Sequence, residues 1–386
     1  MPYPPYFQEK HDVFRNMVRH FVKTEIAPYV DEWEEKGEFP LSILRRMGDL
    51  GLLGVHYPRD VGGQGGDYFM AVVLAEELAR SGAGGFPMAV AVQTDMATPP
   101  IARFGSPQQI ERYFKPALAG TKLACLGITE PNHGSDVASI ETRAQLQAGE
   151  WIVRGSKVFI TNGPRADFMT LVARTRDVPG YQGLSLFLLD LDRPGVHLMK
   201  RIEKVGMRSS DTALFYFDDV RIPYDALLGE EGRGFSQIMW ELQGERLIAA
   251  AGALGSAQYA WEMARDYALQ RRIYDQSLSR LQTISHLVAE MATEIEAVRQ
   301  LTYEAAWHFS QGEVLTGDIA MAKLATAQTA NWVIDRTMQI MGGHGYIRDW
   351  PIERMWRDIR LNRIGGGTDE IMKEIIATTM GIKTSR

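Results

Sequence analysis

The hydrophobic period of this chain changes twice, near Leu123 and near Gly234. Before the first change, apolar residues such as Val13, Phe14, Met17, Val18 and Phe21 recur at three- and four-residue spacing, the pattern of an amphipathic helix. Pro28 and Pro40 interrupt it, residues 41–44 and 47–50 resume it, and the glycine-rich stretch at 62–66 marks a turn. Residues 71–79 are helical again, and 88–101 are apolar apart chiefly from Gln93, Thr94 and Asp95, which could line a pocket but are expected to be helix-end or packing residues. Between the two changes the runs have strand length: 151–153 and 157–160 around a Gly155-Ser156 hairpin turn, then 169–173, 184–191 and 213–220. Asn162-Gly163, Pro179-Gly180 and Arg193-Pro194-Gly195 are the turn signals between them. After Gly234, residues 238–269, 281–309 and 318–341 are long and periodic enough for an antiparallel bundle.

The pattern predicts an α+β chain with its regions segregated: an N-terminal helical domain over residues 1–124, a middle β-barrel or sandwich domain over 125–236, and a C-terminal four-helix bundle over 237–386. A chain of 386 residues can bury a substantial core. The net charge of −6 gives no electrostatic case for nucleic acid or an anionic membrane. The single cysteine, Cys125, excludes an internal disulfide framework and fits a reducing compartment. With no leader expected at Met1 and no apolar run near the roughly 18 residues of a membrane span, the expectation is a soluble, cytoplasmic protein.

The C-terminal stretch at residues 339–374 concentrates unusual features. Gly342, Gly343 and Gly345 follow an apolar helical run, and Arg354, Arg357, Asp358 and Arg360 then fall at helical spacing, where they are expected to brace one another. Gly365-Gly366-Gly367-Thr368 leads straight into a further helix. Such a run is either a tight helix-to-helix turn or a loop whose N–H groups approach a ligand beside a helix N-terminus.

Phosphate-loop, zinc-protease, nucleophile-elbow and dinucleotide-fold signatures are absent, and the eight histidines show no metal-ligand spacing. What remains is Gly127-Ile128-Thr129-Glu130-Pro131-Asn132-His133-Gly134-Ser135-Asp136, a strand running into a polar loop with hydroxyls and N–H groups free to bind phosphate or a ring edge. With 157–163 (KVFITNG), FDDVRIP at 217–223 and the QxxGGxGY pattern followed by Asp349, Arg354 and Asp358, the sequence resembles the acyl-CoA dehydrogenase flavoprotein family over nearly its whole length. His133 departs from that pattern, which has a small residue there.

The resemblance implies FAD held between the β domain and the C-terminal bundle, in a homotetramer. Ile128 and Thr129 match the strand end at the flavin ring, and Gly134 and Ser135 the loop that binds flavin phosphate or acyl-CoA. Phe159, Ile160 and Thr161 stand where the family has Trp-Ile-Thr, the threonine hydroxyl bonding the reactive flavin nitrogen. Arg271, Tyr274 and Gln282 match residues that reach a neighbouring subunit's FAD; Gln339, Gly342 and Gly343 match one adenosine-diphosphate contact, and Thr368 and Glu370 the second.

The same resemblance implies a catalytic glutamate. Many members carry it just before the Gly-Thr, where this chain has Gly366; the long-chain and isovaleryl branches place it in an E-R-L-x-x-A context, matched by Glu245-Arg246-Leu247-Ile248-Ala249-Ala250. Glu245 is then the base and the Gly366 N–H an oxyanion donor, while Arg246, Gln243, Gly367 and Ser135 belong to the substrate side. No metal is implied. The expected reaction is α,β-dehydrogenation of an acyl-CoA to the trans-2-enoyl-CoA, with electrons passed to an electron-transfer flavoprotein. The alternatives are an acyl-CoA oxidase using oxygen, whose chains are generally longer, and a non-catalytic nucleic-acid-binding relative, which the acidic charge disfavours.

Overall fold

The computed structural model describes residues 6–178 and 180–382, so Pro179 of the expected Pro179-Gly180 turn and the leader region at 1–5 lie outside it. The first region is helical: α1 Glu9–Phe21, α2 Val30–Lys36, α3 Ser42–Asp49, α4 Tyr68–Ala79, α5 Gly85–Ala91, α6 Pro99–Phe104, α7 Pro107–Gln109 and α8 Lys115–Leu118. Val18 and Phe21 of α1 are buried, whereas Val13 and Met17 are exposed, so the apolar stripe is narrower than the spacing implied. Ser106 opens α7 with a capping box, its hydroxyl accepting from Gln109 N at 3.2 Å while Gln109 accepts from Ser106 N at 2.9 Å. A π-helical turn at Val92–Met96 follows α5, a local widening that often marks a functional position.

Eight strands form one sheet: β1 Ala124–Gly127, β2 Arg143–Gln147, β3 Glu150–Thr161, β4 Phe168–Arg174, β5 Leu184–Asp190, β6 Val196–Arg201, β7 Thr212–Pro223 and β8 Leu227–Leu228. They run in the order β6-β7-β3-β2-β4-β5-β8, with β1 parallel to β4. Trp151, Val153, Ile160, Phe187, Phe215 and Phe217 fill the core beneath it. Two expectations change here. Residues 150–161 are one continuous strand, because Gly155 forms a β-bulge against β7 at φ +144°, with Thr142 too close for a side chain, and does not turn the chain back. β2 and β6 lacked any signal because nearly all of their residues are polar or solvent-facing.

The last region holds α9 Gly234–Gln270, the short pair β9 Arg272–Ile273 and β10 Gln276–Ser277, α10 Gln282–Ser310, α11 Thr316–Met341, α12 Gly343–Tyr346, α13 Pro351–Ile359 and α14 Asp369–Thr379. Ala251, Leu254, Ala257, Ala260 and Ala264 of α9 pack with Met291, Ile295, Val333 and Ile334 in its core. The charged residues of α13 tie the regions together instead of bracing one another: Arg354 donates to Gly82 O at 2.9 Å and pairs with Asp31, and Asp358 accepts from Gly84 N and Met207 N at 2.7 and 2.5 Å. Arg357 pairs with Glu353 one turn away. Among the described residues, no helix is long and apolar enough to cross a membrane.

Candidate active site

The site grows from α9. Glu241, Glu245, Ala249, Gly252 and Ser256 repeat at three- and four-residue spacing and share one helical face. Two glycines there have opposite roles. A Cβ on Gly255 would lie 2.4 Å from Glu76 O, so its absence lets α4 and α9 touch, whereas a Cβ on Gly252 would meet nothing within 4 Å. Gly252 opens onto a cavity of about 100 Å³ between α4, α5, α9 and α13, lined mainly by small and apolar residues. Ala71, Ala75 and Ala79 form its wall on α4, and Ala249, Gly252 and Ser256 form it on α9. From Glu245 to Ser256 the helix advances roughly 16 Å.

Buried ionisable groups cluster at the Glu245 end. Glu245 is 8% exposed, and burial pushes its carboxyl up, opposed by Arg246, its helical neighbour Glu241, and Lys323. Burial pushes Glu241 well up, reinforced by Glu245 and Asp95. Asp95, in the π-helical turn, is pushed up to about 7 by burial despite the Thr94 hydroxyl at 2.6 Å. His56 faces the same cavity, and burial holds it down at about 4, so its ring is neutral at neutral pH. Of the three polar residues 93–95, only Gln93 is purely a packing residue, its amide bonded to Ala117 O, Lys122 O and Ala124 N; Thr94 and Asp95 line the cavity.

The Gly365-Gly366-Gly367 loop closes over this end. Gly366 adopts φ +66°, and a Cβ there would stand 3.1 Å from Glu245 Oε1, so this position faces the carboxyl and a side chain would crowd it. Arg246 Nε donates to Gly366 O at 3.0 Å and Lys323 Nζ to Gly367 O at 2.6 Å. Burial lowers Lys323 to about 8. These bonds fix the loop's carbonyls, while the Gly366 N–H has no acceptor among the described residues. Thr368 caps α14, accepting from Ile371 N at 3.3 Å, and Glu370 is exposed in its first turn. Gln243 is buried and turned back on its own helix, donating to Met239 O at 2.8 Å with Oε1 unpartnered.

A second group forms a shelf on the β domain. Val158 N donates to Thr129 O at 2.9 Å, setting Ile128 and Thr129 beside Phe159 and Thr161. Phe159 sits at a β-bulge with φ +61° and is 65% exposed, a strained and solvent-facing position for an aromatic ring. Ile160 points the other way, into the core, so it can offer a ligand only its backbone. Beneath, Lys157 is fully buried, bonded to Ile128 O and Glu130 Oε1 at 2.8 Å each, and burial lowers it to about 8. Gly134 and Ser135 lie exposed in the loop beyond Glu130.

The third group lies elsewhere. Arg271, Tyr274, Gln282, Gln339, Gly342 and Gly343 are all exposed at the opposite end of the bundle, joined across it by Tyr267 and His344 at 3.1 Å. Tyr274 is 85% exposed at the tip of a turn where it and Asp275 both have φ near +50 to +60°. Arg271 follows Glu245 by 26 residues of α9, roughly 39 Å along the axis. Sequence reasoning missed Glu241, Lys157 and Lys323, and ranked the pocket-lining reading of Asp95 second. Glu241 alone had a local signal, its place one turn before Glu245.

Models of three families match in chain order: acyl-CoA dehydrogenase N-terminal domain at residues 8–121, middle domain at 125–220 and C-terminal domain at 232–381. The mitochondrial long-chain specific acyl-CoA dehydrogenase of Rattus norvegicus is 37% identical over 374 residues, covering 96% of this chain and 86% of the rat protein. The short-chain specific enzyme of Clostridium acetobutylicum is 35% identical over 368 residues, covering 95% and 97%. A crystal structure of a probable acyl CoA dehydrogenase from Mycobacterium abscessus superimposes with a TM-score of 0.95 at 40% identity, covering 97% of this chain and 100% of the other. A helical, β and helical chain with a buried carboxylate one helical turn before an apolar cavity is thus the framework of a flavin-dependent oxidoreductase. The chain belongs to the acyl-CoA dehydrogenase family.

Proposed function

We propose that the chain oxidises a long, unbranched acyl-CoA to its trans-2-enoyl thioester, with Glu245 as the base. The observation that carries this reading is the Glu245 carboxyl facing the side-chain-free Gly366, one helical turn before Ala249 in the cavity wall. Glu245 takes the α-proton, and its burial raises its proton affinity toward what that transfer needs. The free Gly366 N–H stabilises the developing enolate oxygen, its peptide held by Arg246. Bound FAD would supply the acceptor for the β-hydride.

The β-domain residues fit that group: Phe159 offers a flat aromatic face, and Thr129 and Thr161 offer hydroxyls and backbone beside it. The chain class is supported by the cavity, which continues along α9 past Gly252 and is lined mainly by small and apolar residues. A straight chain suits that narrow path better than a short branched one.

The far end of the bundle bears on assembly. Arg271, Tyr274, Gln282, Gln339, Gly342 and Gly343 are too distant to serve this subunit's own cavity, which supports a homotetramer in which they complete a neighbour's FAD site, with Thr368 and Glu370 contributing at the cavity end. The reading extends to an electron-transfer flavoprotein as acceptor, to domain borders at 124/125 and 236/237, and to a cytoplasmic location. An anaerobic titration of the FAD-loaded protein with butyryl-, isovaleryl-, octanoyl- and palmitoyl-CoA tests it. The expected result is bleaching of the flavin band, strongest with the longest chain, and an enoyl product by mass. A flavin that no thioester bleaches would refute the activity, and preference for isovaleryl-CoA would refute the chain class.

A further inference from the structure

One acid beside the base has no part in the chemistry above. Glu241 stands four residues before Glu245, the spacing that sets two side chains on adjacent turns of one face. It is 2% exposed, yet neither carboxyl oxygen receives a hydrogen bond from any donor among the described residues. An ionised carboxylate in that setting would be a buried charge without compensation, one of the least favourable states a side chain can hold. The acid on the adjacent turn is Glu245, whose charge opposes one on Glu241, and two carboxylates sharing a buried site cannot both be ionised.

The surrounding charges decide which of the two holds the proton. Asp95, from the π-helical turn, opposes a charge on Glu241, and Glu241 in turn opposes ionisation of Tyr57. Arg246, on α9 itself, favours the ionised form of both acids, and Lys323, from α11, favours it at Glu245. The Glu245 charge also opposes one on Glu241, which is the more deeply buried of the two, with both oxygens unpartnered. Glu241 is therefore the donor and Glu245 the acceptor.

We propose that Glu241 is a positioning residue that stays protonated and donates its O–H to the Glu245 carboxylate, holding the base ionised and in one rotamer facing Gly366. This rests on Glu245 being the base. At rest the pair carries one proton and one negative charge. When Glu245 takes the α-proton both acids are neutral, the Glu241 proton has not moved, and the extra proton leaves from Glu245 after the product departs.

The test uses Glu241→Gln, which keeps a neutral donor, and Glu241→Leu, which removes it. A donor to the ionised form lowers the pKa of a base, so its loss raises that pKa. Turnover needs ionised Glu245. The acid limb of the kcat profile should therefore move up by about one pH unit in Glu241→Leu, costing about tenfold in kcat below the limb, and stay near wild type in Glu241→Gln. A second readout needs no turnover: the infrared C=O stretch of a protonated carboxylic acid, recorded at neutral pH on the FAD-loaded protein without substrate, should be lost in Glu241→Gln. Coincident acid limbs in all three proteins, or a band unchanged by Glu241→Gln, would overturn the proposal. If the leucine variant does not fold, the band decides alone. If no thioester reduces the wild-type protein, the function proposed above fails while the band still reports the protonation of Glu241.

Discussion

The two ends of α9 are built on opposite principles. Around Glu245 the ionisable groups are buried, the Gly366 and Gly367 carbonyls each have a donor, and the cavity is lined mainly by helices of the same chain. Around Arg271 the side chains are exposed, the glycines at 342 and 343 have open space around them, and Tyr274 stands out at the tip of a two-strand turn. The buried end draws its carboxylates, its glycine loop and its cavity wall from one chain, so its function depends on protonation and shape. The exposed end has the residue types of a binding surface without a wall to bind against, so its function depends on what is brought to it. The contrast makes damage at the two ends separable: one kind should alter turnover with the cofactor still bound, and the other should alter cofactor retention with turnover intact.

The largest expected effect lies at the buried end. Glu245→Gln should keep the FAD spectrum and lower kcat by about 10³- to 10⁴-fold, measured by steady-state reduction of a dye acceptor. Near-normal turnover would remove Glu245 from the mechanism and collapse the contrast. Next is Gly252→Leu, which fills the open space beyond Ala249 without touching the Glu245 end. Palmitoyl-CoA should lose about 100-fold in kcat/KM while butyryl-CoA changes by less than about threefold, a loss of roughly 3 kcal/mol in binding the tail. Equal losses on both substrates would mean that the tail does not run along α9.

Arg271→Ala tests the exposed end. FAD should bind about tenfold more weakly, as expected for a lost charge-assisted contact, and kcat at saturating FAD should stay within about threefold of wild type. Equilibrium dialysis gives the first number and turnover with added FAD the second; a fall in kcat that added FAD does not restore would place Arg271 with the chemistry. The smallest expected effect is the pH response of the unaltered protein. Burial raises the Glu245 carboxyl, and the base must be ionised, so kcat should fall as pH drops through that raised value and level off above it. A profile that rises toward acid would contradict the sign.

The sequence carried the long elements well because their patterns repeat. α9, α10 and α11 have many turns of unbroken period, and β4, β5 and β7 are apolar enough to stand out. It was weakest where one residue type serves two geometries. Gly155 signals a turn as readily as a bulge, and only the pairing of β3 with β7 on both sides of it distinguishes them. β2 and β6 place mostly polar side chains toward solvent, so no period of two survives in their composition.

The site was legible in the same uneven way. Glu245, Gly366 and Phe159 stand in recognisable strings, but Asp95 reaches Glu241 and Lys323 reaches Glu245 only through tertiary packing. Asp358 and Arg354 have the spacing of mutual partners, yet both spend their hydrogen bonds on the N-terminal helices and the β-domain loop, because burial on α13 turns them inward.

The most direct measurement is a crystal structure of the FAD-loaded protein with a palmitoyl-CoA analogue that cannot be oxidised. The account predicts the α-carbon about 3 to 3.5 Å from a Glu245 carboxyl oxygen, the thioester oxygen on the Gly366 N–H, and the tail passing Ala249 and Gly252 toward Ser256. An α-carbon nearest some other base, or a tail that leaves the cavity for solvent before reaching Gly252, would contradict it.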